Sequence, residues 1–126
     1  MTGTATQGLR ILVVDDEVSY CKMLGLTLQR LGHFPTLAFD PLDALEAFIT
    51  GQFDAVITDI DMPGMNGVDL AIEIRRQVAE MPIAFCTGSG PDDECRQAAA
   101  KIGAVWAKIW RSDDVTSLLT RLRSKS

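Results

Sequence analysis

Five short runs of apolar, largely β-branched residues alternate with stretches of helical periodicity, and this order constrains the chain more than any other feature. Ile11-Leu12-Val13-Val14 stops at Asp15-Asp16-Glu17. From Val18 to Leu31 the apolar residues Tyr20, Met23, Leu24, Leu28 and Leu31 recur at intervals of three and four, which predicts a helix. Gly32 is placed to close it. Phe34 to Phe39 reads as a second strand, and Asp40-Pro41 opens a second helix, with Asp as N-cap and Pro in the first turn. Leu42, Leu45, Phe48 and Ile49 are its expected buried face, and Gly51 its end. Ala55-Val56-Ile57 is a third strand that stops at Asp59. The loop Ile60 to Gly67 leads to a helix whose candidate buried residues are Val68, Ile72 and Val78. Pro82 to Cys86 is a fourth strand, ending at Thr87-Gly88-Ser89-Gly90, and a helix is expected from Pro91 to Ile102, closed by Gly103. Ala104 to Ile109 is a fifth strand carrying Lys108. Ser112 caps the last helix, with Asp113 and Asp114 at its positive end and Arg121, Arg123 and Lys125 at its negative end.

Strict alternation of this kind implies a parallel sheet with helices on both faces, joined by right-handed crossovers. Near-continuous apolar strands agree, because central parallel strands are buried on both sides. The 126 residues fit one α/β domain, without internal linker or repeat, and with an ordered core from about 10 to 122. The chain has 17 acidic and 12 basic side chains, a net charge of −5, which argues against sequence-independent nucleic-acid binding through a basic face. No apolar run approaches the ~18 residues of a membrane span, and Met1 to Gln7 lacks the pattern of a signal peptide. A cytoplasmic location is the expectation. Cys21, Cys86 and Cys95 form no C-x-x-C pair and, with His33 as the single histidine, make no zinc cluster. They are expected to be reduced thiols.

In open parallel sheets the ligand crevice lies beyond the carboxyl ends of the strands, where this sequence puts its unusual polar residues. The first strand delivers Asp15, Asp16 and Glu17. The third delivers Asp59, with Asp61 two residues on, the fourth Thr87 and the fifth Lys108. A single Asp after a strand is ordinarily a turn or cap residue; joint occurrence at four strand ends points to chemistry. Clustered carboxylates repel, so one stays protonated or a cation sits among them. Hard oxygen donors suit Mg²⁺, which takes one or two carboxylates and keeps waters for phosphate oxygens. A lysine and a hydroxyl opposite would complete a set for phosphoryl transfer. An aspartate can itself be the nucleophile, forming an acyl phosphate.

With these residues in this order, the chain resembles a response-regulator receiver domain, the phosphoacceptor half of two-component signalling. The resemblance runs from about Arg10 to Leu122. It is carried by Ile11 to Glu17, by Asp54 to Gly67 with its D-x-x-M-P-x-x-N-G pattern, by Cys86-Thr87-Gly88 and by Lys108. It implies a flavodoxin-like, doubly wound sheet of strand order 2-1-3-4-5. It further implies that Asp59 accepts the phosphoryl group and that Asp15 and Asp16 hold Mg²⁺, Asp16 directly and Asp15 through water. The Asp61 carbonyl would add a backbone oxygen, and Thr87 and Lys108 would contact the phosphoryl group. The donor would be a histidine kinase or a histidine phosphotransfer protein. The domain would catalyse its own phosphorylation and dephosphorylation and no conventional enzyme reaction. It would signal to a downstream protein through the face of the fourth helix, fifth strand and fifth helix, without contacting nucleic acid or membrane directly.

The sequence departs from the family in places. Ile109 follows Lys108 where the family has proline, so that bond is expected to be trans, a non-proline cis bond costing ~2.5–4 kcal/mol. Val105 stands where the family places an aromatic switch residue, and strand alternation turns the neighbouring Trp106 to the opposite face. At least one of Trp106 and Trp110 is expected to pack. Gly88 in place of the usual Ala leaves the site accessible. His33, at a helix end, is expected to have no catalytic role, and Met62 and Met65 to pack the loop. The altered Lys108-Ile109 region supports an alternative, a receiver fold that binds partners without phosphorylation. A remote alternative is a phosphatase of the haloacid-dehalogenase type, whose Asp-x-Asp motif Asp59-Ile60-Asp61 fits. Those enzymes place their acidic pair after the nucleophile, whereas Asp15-Asp16 precedes it.

Overall fold

The computed structural model describes residues 8–88, 93–108 and 111–124. Its elements alternate as the hydrophobic pattern requires: β1 (Arg10–Val14), α1 (Val18–Arg30), β2 (Phe34–Ala38), α2 (Pro41–Thr50), β3 (Ala55–Asp59), α3 (Gly67–Gln77), β4 (Ile83–Thr87), α4 (Glu94–Ala100), β5 (Ala104–Ala107) and α5 (Ser112–Ser124). The strands form one parallel sheet in the order β2-β1-β3-β4-β5, the flavodoxin-like α/β arrangement implied by the resemblance. In register, Val14 pairs with both Ala38 and Thr58, Asp59 with Cys86, and Thr87 with Ala107. The strand ends are therefore level, and the residues that follow them emerge at one edge.

Pleating sorts the strand side chains to two faces. Leu12, Val14, Val56, Ile83 and Phe85 join Ala44 and Phe48 of α2, Leu70, Ala71 and Ile74 of α3, and Ala99 of α4. Ile11, Val13, Ala55, Ile57 and Ala84 join Tyr20, Leu24 and Leu28 of α1 and Val115, Leu118 and Leu122 of α5. Every residue of β3 and β4 is buried, and each large apolar side chain so placed contributes roughly 1.5–3 kcal/mol. Val105 packs toward the first cluster and Trp106 toward the second, as alternation along β5 predicts.

The helix faces depart from expectation. Leu42 and Ile49 are 68% and 59% exposed, because α2 turns Ala44 and Phe48 toward the sheet. Ile72 is exposed, opposite the buried stripe of Gly67, Leu70, Ala71 and Ile74, and Val78 lies past the end of α3 in extended backbone. Leu31 is the exposed residue that ends α1, and Gly32 follows at φ 92°, the left-handed closure predicted for it. Helix α4 starts at Glu94, where Asp93 accepts the N–H of Arg96, and ends at Ala100. Ser112 is the first residue of α5, and the Arg111 carbonyl accepts the first helical bond, from Val115. The Lys108–Ile109 bond, Trp110, Ser89 to Asp92 and both chain ends lie outside the described residues.

Candidate functional site

The chain leaves β1 for β2 at one edge and returns to β3 on the other side of β1. Such a reversal opens a crevice at the carboxyl ends of the two central strands. Asp15 follows β1 directly. Its N–H donates to the Ala38 carbonyl at 3.1 Å, and its Oδ1 accepts the Glu17 N–H at 2.9 Å, which starts α1. Asp59 is the last residue of β3, and its Oδ1 accepts the Ile60 N–H at 2.8 Å. The loop beyond is closed by the Gly67 N–H donating to the Ile60 carbonyl at 2.8 Å. Met62 is buried in the first apolar cluster and Met65 packs against it, so both hold the loop as expected. A Cβ on Gly67 would overlap the Asp59 carbonyl oxygen, which is why glycine stands where α3 begins.

Asp15, Asp16 and Asp59 each offer a carboxylate oxygen, and these lie within 4.8 Å of one another. Asp15 and Asp59 are buried while Asp16 is exposed, which leaves the group open to water on one side. Lys108, just past β5, sends its Nζ to within 3.1 Å of Asp15 Oδ2, 2.9 Å of Glu17 Oε1 and 3.6 Å of Asp59 Oδ2. Beneath it lies the Tyr20 ring, 4.9 Å from Nζ to the centroid. Thr87, the buried last residue of β4, donates from Oγ1 to Asp61 Oδ2 at 3.4 Å. Among the sequence-predicted residues the acidic three and Lys108 converge, and Asp61 joins through Thr87.

Burial, and then the charge of Asp15, push the Asp59 carboxyl up to about 6. Burial also raises Asp15, against the opposing pull of the Glu17 N–H and Lys108. Desolvation works against the Lys108 ammonium, but its bonds to Glu17 and Asp15 and the charges of Asp59 and Asp15 hold its pKa above the usual lysine range. Burial pushes the adjacent Cys86 thiol up to about 12, so it is a protonated packing group. The donor set is thus three hard carboxylates, mutually repelling and partly compensated, which fits a hard divalent cation with oxygen coordination.

Two residues of this constellation were given no role from sequence. Glu17 belongs to the acidic run, but its contact with Lys108 spans 91 residues of chain. Tyr20 reads as one member of the apolar stripe of α1; only its polar tip distinguishes it. His33 sits outside the site, with Nδ1 accepting the Leu9 N–H at 2.9 Å. All three cysteines are free.

The response regulator receiver domain family model matches residues 11–116. The transcriptional regulatory protein TcrA of Mycobacterium tuberculosis is 30% identical over 94% of this chain, which spans 46% of that relative. The chain covers less than half of several such curated relatives. Chemotaxis protein CheY-3 of Vibrio cholerae is 33% identical over 79% of this chain and 78% of its own length. The response regulator TrrA of Thermotoga maritima, solved in complex with Mg²⁺-BeF, superposes with a TM-score of 0.78 at 32% identity, over 90% of this chain and 97% of that one. An acidic triad of this kind, at the switch point of a sheet wound in this order, is typical of a phosphoacceptor site. With these matches it establishes the family: the chain belongs to the response regulator receiver domains of two-component signalling.

Proposed function

We propose that Asp59 accepts a phosphoryl group from a histidine kinase or a histidine phosphotransfer protein, with Mg²⁺ held by Asp15, Asp16, Asp59 and the Asp61 carbonyl. The observation that carries this reading is the convergence of the Lys108 ammonium on Asp15 and Asp59, beside three carboxylates within 4.8 Å. Asp59 Oδ1 accepts the Ile60 N–H, and Oδ2, the oxygen facing Lys108, is the attacking atom in this reading. It attacks phosphorus as the donor's N–P bond breaks, and the electron pair leaves with the donor. When bound, the metal neutralises charge on the phosphoryl oxygens. Lys108 neutralises a further share, and the Thr87 hydroxyl turns from Asp61 to a phosphoryl oxygen.

The domain, residues 1–126 with a core at about 10–122, would work in the cytoplasm as a switch that catalyses only its own phosphorylation and dephosphorylation. Phosphorylation would bias a pre-existing equilibrium and reshape the α4–β5–α5 face for a downstream protein, without direct contact to nucleic acid. Among the described residues no helix is long and apolar enough to cross a membrane. Incubation with Mg²⁺ and acetyl phosphate, followed by intact mass measurement, tests the reading. One added phosphoryl group, lost in Asp59→Asn, is the expected result. No labelling with several small donors, or labelling that survives Asp59→Asn, overturns it.

A further inference from the structure

Glu17 has no part in that scheme, yet it makes the shortest contact to the ammonium on which the scheme depends. It occupies the N-cap position of α1 without a side-chain cap bond. Glutamate is not among the preferred caps, which are shorter side chains that reach back to the first turn. Its carboxylate extends instead to Lys108. Oε1 lies 2.9 Å from Nζ, against 3.1 Å for Asp15 and 3.6 Å for Asp59. The Glu17 side chain is 54% exposed and those of Asp15 and Asp59 only 3% and 6%, so Glu17 meets the ammonium from the solvent side. On the protein side lies the buried Tyr20 ring. An ammonium has three N–H donors, and three carboxylates surround this one.

We infer that Glu17 is a positioning residue acting through Lys108: its carboxylate draws the resting ammonium toward the solvent side of the site, 3.6 Å from Asp59, and this pair opens before Lys108 meets a phosphoryl group. The inference rests on the phosphoacceptor reading of Asp59. Lys108 is shared between Glu17 and the site, and an arriving phosphoryl group has to win it from Glu17. The competing pair is exposed on its Glu17 side, hence weak, so it tunes the rate of phosphorylation without blocking it. Local sequence choice agrees: a poor cap at the start of α1 leaves the side chain free to reach across to β5.

The test compares initial rates of Asp59 labelling by acetyl phosphate with Mg²⁺ in the wild type, Glu17→Gln and Glu17→Asp, by intact mass. Glu17→Gln removes the charge. Glu17→Asp keeps the charge but shortens the reach by one methylene and favours a cap bond on α1, drawing the carboxylate from Lys108. Both variants are expected to label about threefold faster, the scale of losing one weak ion pair. If only Glu17→Gln is faster, charge alone acts at a distance and the positioning role is overturned. It is also overturned if the wild type labels and Glu17→Gln is no faster. If the wild type does not label, or labels as well after Asp59→Asn, the phosphoacceptor reading fails, and the role of Glu17 with it.

Discussion

Burial and the neighbouring Asp15 carboxylate lift the Asp59 pKa to about 6, against 3.8 for an ordinary aspartate. Between those values folding takes up a proton, so stability falls as pH rises through the window and the full penalty stands above about pH 6. A shift of this size costs about 3 kcal/mol. Urea unfolding in the presence of a chelator should therefore show a wild-type protein that weakens from pH 4 to 7. Asp59→Asn, whose amide oxygen can still accept the Ile60 N–H, should show a shallower slope, the remainder coming from the raised Asp15, and be about 3 kcal/mol more stable at pH 7. Equal stability of the two proteins at pH 7 would disprove the charge penalty. His33 has the opposite sign. Burial, and then the charge of Arg123, hold its pKa below 6.5, and Nδ1 can accept the Leu9 N–H only while unprotonated. The unfolded chain is then the better proton binder, so this contribution is intact above pH 6.5 and lost as pH falls through the folded value. An NMR titration of the His33 ring should give a midpoint below 6.5; a midpoint at or above it would mean the ring is not held neutral.

At the scale of elements, the start of α3 carries both structure and site. Asn66 Oδ1 accepts the Asp69 N–H at 2.9 Å, so Asn66→Ala should cost about 1 kcal/mol and leave labelling at Asp59 near wild type. Gly67→Ala places a methyl group against the Asp59 carbonyl. The overlap is with backbone, so β3 or α3 must shift, at about 3 kcal/mol, and Asp59 moves with it. Urea unfolding together with labelling rates separates the two: similar losses of both in both variants would refute the distinction. The strand ends that form the site were legible because each polar residue interrupts an apolar run. Which stripe of a helix faces the sheet was not. On helix α2 the expected Phe48 and Leu45 do pack against the sheet cluster, but Ala44 takes the remaining place on that side. Leu42 and Ile49 are left outside. Val78 misled for another reason: periodicity continues past the point where the backbone of α3 turns extended. The Glu17–Lys108 contact was illegible because only the winding of all five strands brings α1 and β5 together at one edge.

At the scale of the whole molecule, the proposed cation joins β1 to β3, whose ends carry the repelling charges. A ligand that binds the folded state alone stabilises it by mass action, about 1.4 kcal/mol at ten times its dissociation constant. Relief of the Asp15–Asp59 repulsion is part of that binding energy. Thermal melts with Mg²⁺, set against Na⁺ at equal ionic strength, should show a Tm rise in the wild type. Asp16 is exposed, so Asp16→Asn should keep the metal-free Tm near wild type while losing most of the Mg²⁺ response. Asp59→Asn should differ in kind, with a higher metal-free Tm and a diminished response, because it removes the repulsion and the ligand together. If Asp16→Asn responds to Mg²⁺ as the wild type does, the stabilisation is general screening of an acidic surface and the three carboxylates are not its site. If Asp59→Asn loses the response but gains no metal-free stability, the site is right and the charge penalty at Asp59 is wrong.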